Sequence, residues 1–185
     1  SATCASSCAT NATPTSTATP TPTPTATPAP TPLPLTLSSS AFSPGGEIPE
    51  RFGYFREDIS PPIAWANAPA GTQSLALTVE DATYAFTHWV VYNIPPTATQ
   101  LAEGVIPQPQ MADGMRQGLN SNEVLGYIGP FPPAGETHRY IWTLYALDTS
   151  LSLPPGATKA QLQQAMEGHI LAKSELSGTY RGVQP

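Results

Sequence analysis

The opening segment of the chain is rich in proline and threonine, and this limits its folding more than any other feature of the sequence. Prolines recur there, mostly with a single Thr or Ala between them: Pro14, Pro20, Pro22, Pro24, Pro28, Pro30, Pro32 and Pro34. Each proline fixes φ and removes a backbone N–H donor, so neither a helix nor a sheet ladder can propagate. The segment also has almost no large apolar side chain whose burial could offset the entropy of ordering. We therefore predict that residues 1–36 form a disordered, extended stalk.

The remaining residues, 37–185, have a different composition and are predicted to form one domain. All 7 basic and 13 acidic residues lie from Glu47 onward. A domain of this length is large enough for a hydrophobic core. The net charge is −6 and there is no basic stripe, so no nucleic-acid partner is expected. No apolar run approaches the ~20 residues needed to cross a bilayer, so no transmembrane segment is expected.

The two cysteines, Cys4 and Cys8, lie in the stalk, and three interpretations of them remain open. A processed export or lipid-attachment region is typical of such stalks, and a local disulfide would suit an oxidising compartment. A metal site would need more ligands than two thiols supply. No signal peptide is visible, so an extracellular or cell-surface location is inferred from the stalk alone, with a lipid anchor at the N-terminus as one form of attachment.

Three segments have the alternation and composition of β-strands. Ser74–Asp81 alternates and places Leu75, Leu77, Val79 and Asp81 on one face. Residues 88–94 are rich in aromatic and β-branched side chains and end before two prolines. Residues 138–147 are largely apolar on both faces, which predicts a sheet that is covered on both sides.

One helix is predicted after the break at residues 154–156. Thr158 and Gln161 have the spacing of a capping box, and Leu162, Met166 and Ile170 follow at helical spacing. His169, beside this apolar stripe, is interpreted as a packing residue. The predicted fold class is mainly β with a few peripheral helices, and a sandwich-like packing of sheets is expected.

Three polar side chains are expected to meet at one end of this sheet. Asp81 ends one predicted strand, while His88 and His138 each begin another, and the Gly/Pro loop 129–133 lies nearby in sequence. Histidines and loop amides in an apolar setting can bind a small anion, and a carboxylate can orient a histidine. Three alternatives stay open: structural hydrogen bonding by each histidine, a His/His/Asp zinc triad, and a serine hydrolase, although no G-x-S-x-G motif is present.

From about Leu35 to Arg181 the chain resembles the phosphatidylethanolamine-binding protein family, in its bacterial Raf-kinase-inhibitor-like branch. The matching residues occur in order along the chain: Phe42-Ser43, Gly46, Ile48-Pro49, 57–62 (EDISPP), Trp65, 69–77 (PAGTQSLAL), 88–95 (HWVVYNIP), Gly118, Asn120, Gly126-Tyr127, Gly129-Pro130, His138-Arg139-Tyr140, Glu167-Gly168-His169 and Gly178-Thr179-Tyr180.

The resemblance implies a central antiparallel sheet, a smaller second sheet and a shallow pocket for phosphate-like anions. Carried over residue by residue, the pocket would be formed by Asp81, His88, Gly129, Pro130, His138 and Tyr140. Arg139 would be a buried structural arginine paired with a carboxylate, because an unpaired buried guanidinium is costly.

Two departures from the family pattern concern the rim of this pocket. The family usually has Asp-Pro-Asp-Ala-Pro before the first histidine, whereas residues 80–88 read EDATYAFTH and lack the second aspartate and both prolines. Asp81 matches the first aspartate, and the loop is shortened. Phe131 stands where bacterial relatives often carry cysteine, which makes the loop more apolar.

The first functional hypothesis is a non-catalytic binding module for a small anion such as phosphate or phosphoethanolamine. His88, His138 and loop amides would donate hydrogen bonds, and binding would tighten as the pH falls through ~6.5, the unperturbed histidine pKa. The alternative is a protein partner, a protease or kinase, inhibited through the 105–125 loop over about 800 Å². An enzyme is the third reading, and none is expected because no activated nucleophile is evident; no metal and no cofactor is expected either.

Overall fold

Two antiparallel β-sheets make up most of the fold in this computed structural model, which describes residues 2–3 and 31–185. The elements are β1 (Thr36–Ser38), β2 (Ile63–Ala66), β3 (Ser74–Asp81), β4 (Phe86–Ile94), β5 (Gln100–Leu101), β6 (Arg116–Gln117), β7 (Thr137–Leu147), α1 (Lys159–Met166) and β8 (Ile170–Arg181). The larger sheet has the order β6-β4-β3-β7-β8 and the smaller one β1-β2-β5. The predicted fold class, mainly β with a second, smaller sheet, is confirmed.

The larger sheet is covered on both sides, as the apolar faces of its central strands require. One face packs into a core that includes Trp89 and Trp142 and also takes in the smaller sheet. The other face packs against α1 through Leu162 and Met166. In β3, the middle strand, seven of the eight residues are buried. The predicted bounds of that strand are confirmed, but both of its faces are buried, which is more burial than an alternating pattern implies.

Arg139 does not occupy the buried position that the family resemblance implied. In β7 the even-numbered residues from His138 to Leu144 are buried, whereas Arg139 is exposed. The odd-numbered face is thus open to solvent at the start of β7, because α1 covers this face only toward the end of the strand, near Tyr145 and Leu147. The prediction of a buried guanidinium paired with a carboxylate is wrong.

The C-terminal part of the chain differs most from the sequence prediction. The capping box of Thr158 and Gln161 is present, but the helix ends at Met166, and Gly168 then adopts a φ of 77°. That left-handed conformation, which favours glycine, turns the chain into β8. Ile170 therefore begins a strand, and His169 is exposed with its Nδ1 2.7 Å from Asp148. The predicted extension of the helix to Ile170 and the packing role of His169 are both wrong.

Of the predicted stalk, only residues 2–3 and 31–36 fall within the described residues. Leu35 is buried and Thr36 begins β1, which pairs with β2. Cys4 and Cys8 lie outside the described residues. None of the helices in the described part of the chain is long and apolar enough to cross a membrane.

Candidate functional site

Strand register brings the predicted residues to one end of the larger sheet. Asp81, the last residue of β3, is paired directly with Tyr140 on β7, and His138 precedes Tyr140 by two residues on the same face. On its other side β3 pairs with β4 down to Asp81 and Phe86. The carboxylate of Asp81 and the imidazole of His138, on neighbouring strands, thus meet near the turn at residues 82–85.

A β-bulge turns His88 into this cluster. The β3–β4 register runs from Val79 opposite Trp89 to Glu80 opposite Thr87, so His88 is the extra residue on β4. Without the bulge, alternation from Trp89 would point His88 to the other face of the sheet. The inserted residue shifts that alternation by one, and bulges of this kind commonly re-aim a side chain at a functional site.

These side chains open onto one cavity of about 440 Å³. Four of its polar residues are almost completely buried, with exposed fractions of 4% for Asp81, 2% for His88, 3% for His138 and 1% for Tyr140. Its lining consists of Asp81, Tyr84, Phe86, His88, Phe131, Pro132, Pro133, His138 and Tyr140. Four of the six predicted site residues are therefore brought together around one cavity.

Asp81 holds His138 in a fixed orientation. Asp81 Oδ2 lies 2.6 Å from His138 Nδ1, while Asp81 Oδ1 accepts the amide of Thr83 at 2.7 Å. A carboxylate oxygen that is ionised can only accept, so Nδ1 of His138 carries a proton. Burial alone would raise the pKa of Asp81, but these hydrogen bonds outweigh it and hold the pKa below its usual range. Asp81 is consequently an ionised carboxylate that orients a histidine, as the sequence suggested.

His88 is held by a different partner, the carbonyl oxygen of Ile128, which lies 2.8 Å from Nδ1. Burial lowers the pKa of His88 to about 4, and the Ile128 hydrogen bond and the charge of Asp81 offset this only in part. The ring is therefore neutral at pH 7. A transition of His88 near ~6.5, the unperturbed value on which the expected pH dependence rested, does not occur in this environment.

The hydroxyl of Tyr140 is a buried polar group without a partner. Burial raises the pKa of Tyr140, and the charge of the Asp81 carboxylate and a hydrogen-bonding contact with it add to the shift. That contact falls outside the geometry of a formed hydrogen bond, and the hydroxyl has no other partner among the described residues. Tyr140 thus remains protonated and keeps an unused O–H donor, which is uncommon for a buried group.

Gly129 and Pro130 do not line the cavity, although the resemblance placed them there. The Gly129 amide donates to Asp58 Oδ1 at 2.7 Å, and the Pro130 carbonyl accepts the Tyr54 amide at 3.0 Å. A Cβ on Gly129 would lie 2.3 Å from the Phe52 carbonyl oxygen. Both residues therefore fix the loop against the 52–58 segment, and the Gly129 amide is already used within the protein.

The loop's contribution to the cavity is apolar instead. The Phe131 ring meets Phe86 edge to face and is tilted against His88, with ring centroids 5.2 and 5.6 Å apart, and the Tyr84 ring centroid lies 4.9 Å from that of His138. Sequence reasoning missed Phe86 and Tyr84 as lining residues. Phe86 lies two residues before His88 on the same strand, so strand alternation would have placed both on one face, whereas a tyrosine in a four-residue turn gives no such signal.

The electrostatic surroundings are acidic or neutral. Glu136 Oε2 lies 3.4 Å from His138 Nε2, and neither lysine nor arginine is among the lining residues. The zinc alternative lacks a suitable ligand arrangement, because no group of three His, Cys, Asp or Glu side chains within residues 31–185 is placed to hold a metal ion. The polar side chains of the site can therefore donate hydrogen bonds to a small ligand and accept them from it, and the aromatic rings can pack around that ligand.

A sequence profile of phosphatidylethanolamine-binding proteins matches residues 38–181. The chain belongs to that family. It is 47% identical over 148 residues to a UPF0098 protein of Methanothermobacter thermautotrophicus, covering 78% of this chain and 97% of the relative.

Two further relatives of the chain come from bacteria. The crystal structure of the homologue CT736 from Chlamydia trachomatis aligns with a TM-score of 0.72 and 40% identity, covering 81% of this chain and 99% of that one. A Mycobacterium tuberculosis protein named "Putative lipoprotein LppC" is 38% identical over 150 residues, covering 79% of this chain and 72% of its own length. The family predicted from the sequence motifs is thus confirmed.

Proposed function

We propose that this protein is a non-catalytic binding protein whose cavity takes a small phosphate-bearing ligand, such as free phosphate or the head group of a phospholipid. The observation that carries the proposal is the unpaired Tyr140 hydroxyl, buried in a cavity where three other buried polar side chains converge. A buried donor without a partner costs about 1–3 kcal/mol, so its presence in a cavity favours a role in binding.

The shape and lining of the cavity suit a ligand with a small polar end. Small-molecule sites are usually concave and largely apolar, with a few polar groups that fix the orientation of the ligand. Here the polar groups are Asp81, His88, His138 and Tyr140, and the wall is formed by Phe86, Phe131 and two prolines. Membership in a family of phosphatidylethanolamine-binding proteins supports a phosphate group as the polar end.

The non-catalytic part of the proposal rests on the chemistry of the lining. Covalent catalysis most often uses an activated serine, cysteine, threonine or lysine beside a base, although carboxylates, histidine and tyrosine can also serve as nucleophiles. No serine, cysteine, threonine or lysine is among the residues that line the cavity in the described part of the chain. The Asp81 carboxylate is already bonded to His138 and to the Thr83 amide. The pKa of the Tyr140 hydroxyl, which lies in the same cavity as His88, is raised and not lowered, so this hydroxyl is not activated as a nucleophile.

We also propose that the protein acts at the cell surface or outside the cell. The Thr/Pro-rich segment would act as a spacer, and a related mycobacterial protein carries a lipoprotein name. Release of the full chain from membranes by high salt, with no lipid detected on a Cys4 peptide by mass spectrometry, would contradict a lipid anchor.

Calorimetric titration of the full chain with inorganic phosphate and with phosphoethanolamine at pH 6 tests the binding function. We expect at least one of them to bind, and His138→Ala to weaken that binding at least tenfold, which is about 1.4 kcal/mol. The matched control is His169→Ala, because His169 is exposed and paired with Asp148 outside the cavity. Tighter binding of phosphoethanolamine, together with sedimentation on phosphatidylethanolamine vesicles, would identify a head group, and binding of phosphate alone would identify the free ion. Absence of binding to both compounds would contradict the proposal.

A further inference from the structure

The hydrogen bond of His88 to a carbonyl fixes which ring nitrogen carries its proton. The Ile128 carbonyl oxygen can only accept, so in the neutral ring Nδ1 is the donor and Nε2 presents a lone pair. The ring nitrogen bonded to the protein is Nδ1, and the ring lines the cavity, so Nε2 is the nitrogen that a ligand can reach. His88 therefore offers a ligand an acceptor.

The charges around His88 do not favour a second negative charge on the ligand. The titratable groups that face the ring are Asp81 at the end of β3 and His138 and Tyr140 on β7. Asp58 does not line the cavity and accepts the Gly129 amide. Glu136 lies at the far nitrogen of His138. No lysine or arginine is among the lining residues to compensate. A fully ionised phosphate monoester would meet Asp81 and the Nε2 lone pair, which repel it.

We propose that the cavity selects a phosphate monoester in its singly protonated form, whose P–OH donates to His88 Nε2 while its other oxygens accept from protein donors such as the Tyr140 hydroxyl. The inference rests on the proposed phosphate-binding function and names the ligand class and ionisation state that the site favours. A phosphate diester has no P–OH, so it would leave the Nε2 lone pair facing a phosphate oxygen. Of the two proposed sources of the ligand, free phosphate or a monoester is therefore favoured over the diester phosphate of an intact phospholipid.

The two ligand classes then differ in pH dependence. A monoester has its second pKa near about 6, so at pH 7 roughly a tenth of it is singly protonated. A diester would bind only when His88 itself is protonated, and with a pKa of about 4 the charged ring is depleted about a thousandfold at pH 7. At equal intrinsic affinity the monoester is favoured about a hundredfold at pH 7. Its affinity levels off below pH about 6, whereas that of the diester rises further toward pH 4.

Methyl phosphate and dimethyl phosphate are a matched pair of probes, because they differ by one methyl group and by the P–OH. We would titrate each into the full chain by calorimetry between pH 4.5 and 8. The inference predicts that methyl phosphate binds, that its affinity falls about tenfold per pH unit above about 6 with uptake of one proton, and that dimethyl phosphate is about a hundredfold weaker at pH 7.

His88→Asn provides the second arm, because the asparagine amide can still donate to Ile128 while the Nε2 acceptor is lost. We expect this variant to bind methyl phosphate at least tenfold more weakly at pH 6 and to lose the preference over dimethyl phosphate. Equal affinities of the wild type for both probes, or affinity for methyl phosphate that increases with pH, would overturn the inference and leave phosphate binding intact. Absence of binding to either probe at every pH would instead overturn the proposed function together with the inference.

Discussion

The unpaired hydroxyl of Tyr140 leads to a prediction that needs no ligand. Replacing Tyr140 by phenylalanine removes only that hydroxyl, which is buried and makes no hydrogen bond among the described residues. An unsatisfied buried polar group costs about 1–3 kcal/mol, and phenylalanine fills the same ring position. We expect Tyr140→Phe to raise the free energy of unfolding by about 1 kcal/mol, or the Tm by about 2–4 °C for a domain of this size.

Tyr180→Phe is the matched control. Tyr180 is as buried as Tyr140 and lies on the adjacent strand β8, but its hydroxyl donates to the Glu50 carbonyl at 3.2 Å. The same substitution there breaks a bond and leaves that carbonyl with one partner fewer, so we expect a loss of about 1 kcal/mol. The two variants should therefore change stability in opposite directions.

Urea unfolding of the wild type and both variants at pH 7 measures the difference, with an unchanged m-value as the test that only stability is altered. If Tyr140→Phe loses as much stability as Tyr180→Phe, the Tyr140 hydroxyl has a partner in the folded protein, and the reasoning is refuted. If it gains stability, the same variant should bind phosphoethanolamine at least tenfold more weakly, because a hydrogen bond to a charged group contributes about 1.5–3 kcal/mol. Such a gain at the expense of binding is the expected cost of a functional site.

Three further predictions concern stability. Burial lowers the pKa of His88 in the folded state to about 4, while in the unfolded chain it is about 6.5, so the unfolded state binds the proton first as the pH falls. The free energy of unfolding should therefore be highest above pH about 6.5 and fall by up to roughly 3 kcal/mol toward pH 4. Urea unfolding across this range should show a smaller fall for His88→Asn. Gly129→Ala should lower the free energy of unfolding by more than about 2 kcal/mol, because its Cβ would lie 2.3 Å from the Phe52 carbonyl oxygen; a melting curve like that of the wild type would show that the loop can move away. Thr158→Ala should cost about 1 kcal/mol in thermal unfolding, because the capping box with Gln161 is lost, and an unchanged Tm would mean that the cap contributes nothing.

The parts of the fold that sequence reasoning found are those whose residues face apolar surroundings. Ser74–Asp81 lies in the middle of the larger sheet, so its side chains carry a clear strand signal. β8 lies at the edge of the sheet, and in it only Leu176, Gly178 and Tyr180 are buried. Its Ser, Lys and Glu residues face solvent, and its first residues continue the helical spacing of α1. Local pattern alone could not separate that edge strand from an extended helix.

The candidate site was predictable as a set of residues but not as a geometry. Strand ends at Asp81, His88 and His138 gave the position of the cluster, and the family motifs added Tyr140. The bulge that turns His88 inward depends on pairing between β3 and β4, which a single strand does not encode. The use of the Gly129 amide by Asp58 involves residues 71 positions apart, so the loop's true contribution, an aromatic wall, emerged only from the tertiary structure.

Nitrogen NMR of the imidazole rings tests the central claim, that His88 is the ligand-facing residue of a phosphate site, most directly. The chain has three histidines, so the variants His88→Asn and His169→Ala assign every ring. At pH 7 without ligand, we predict that His88 shows a protonated Nδ1 and an unprotonated Nε2. Addition of methyl phosphate should shift the Nε2 resonance of His88 and leave His169 unchanged. A His88 ring protonated at Nε2 in the free protein, or a His88 spectrum that saturating methyl phosphate does not alter, would contradict the account.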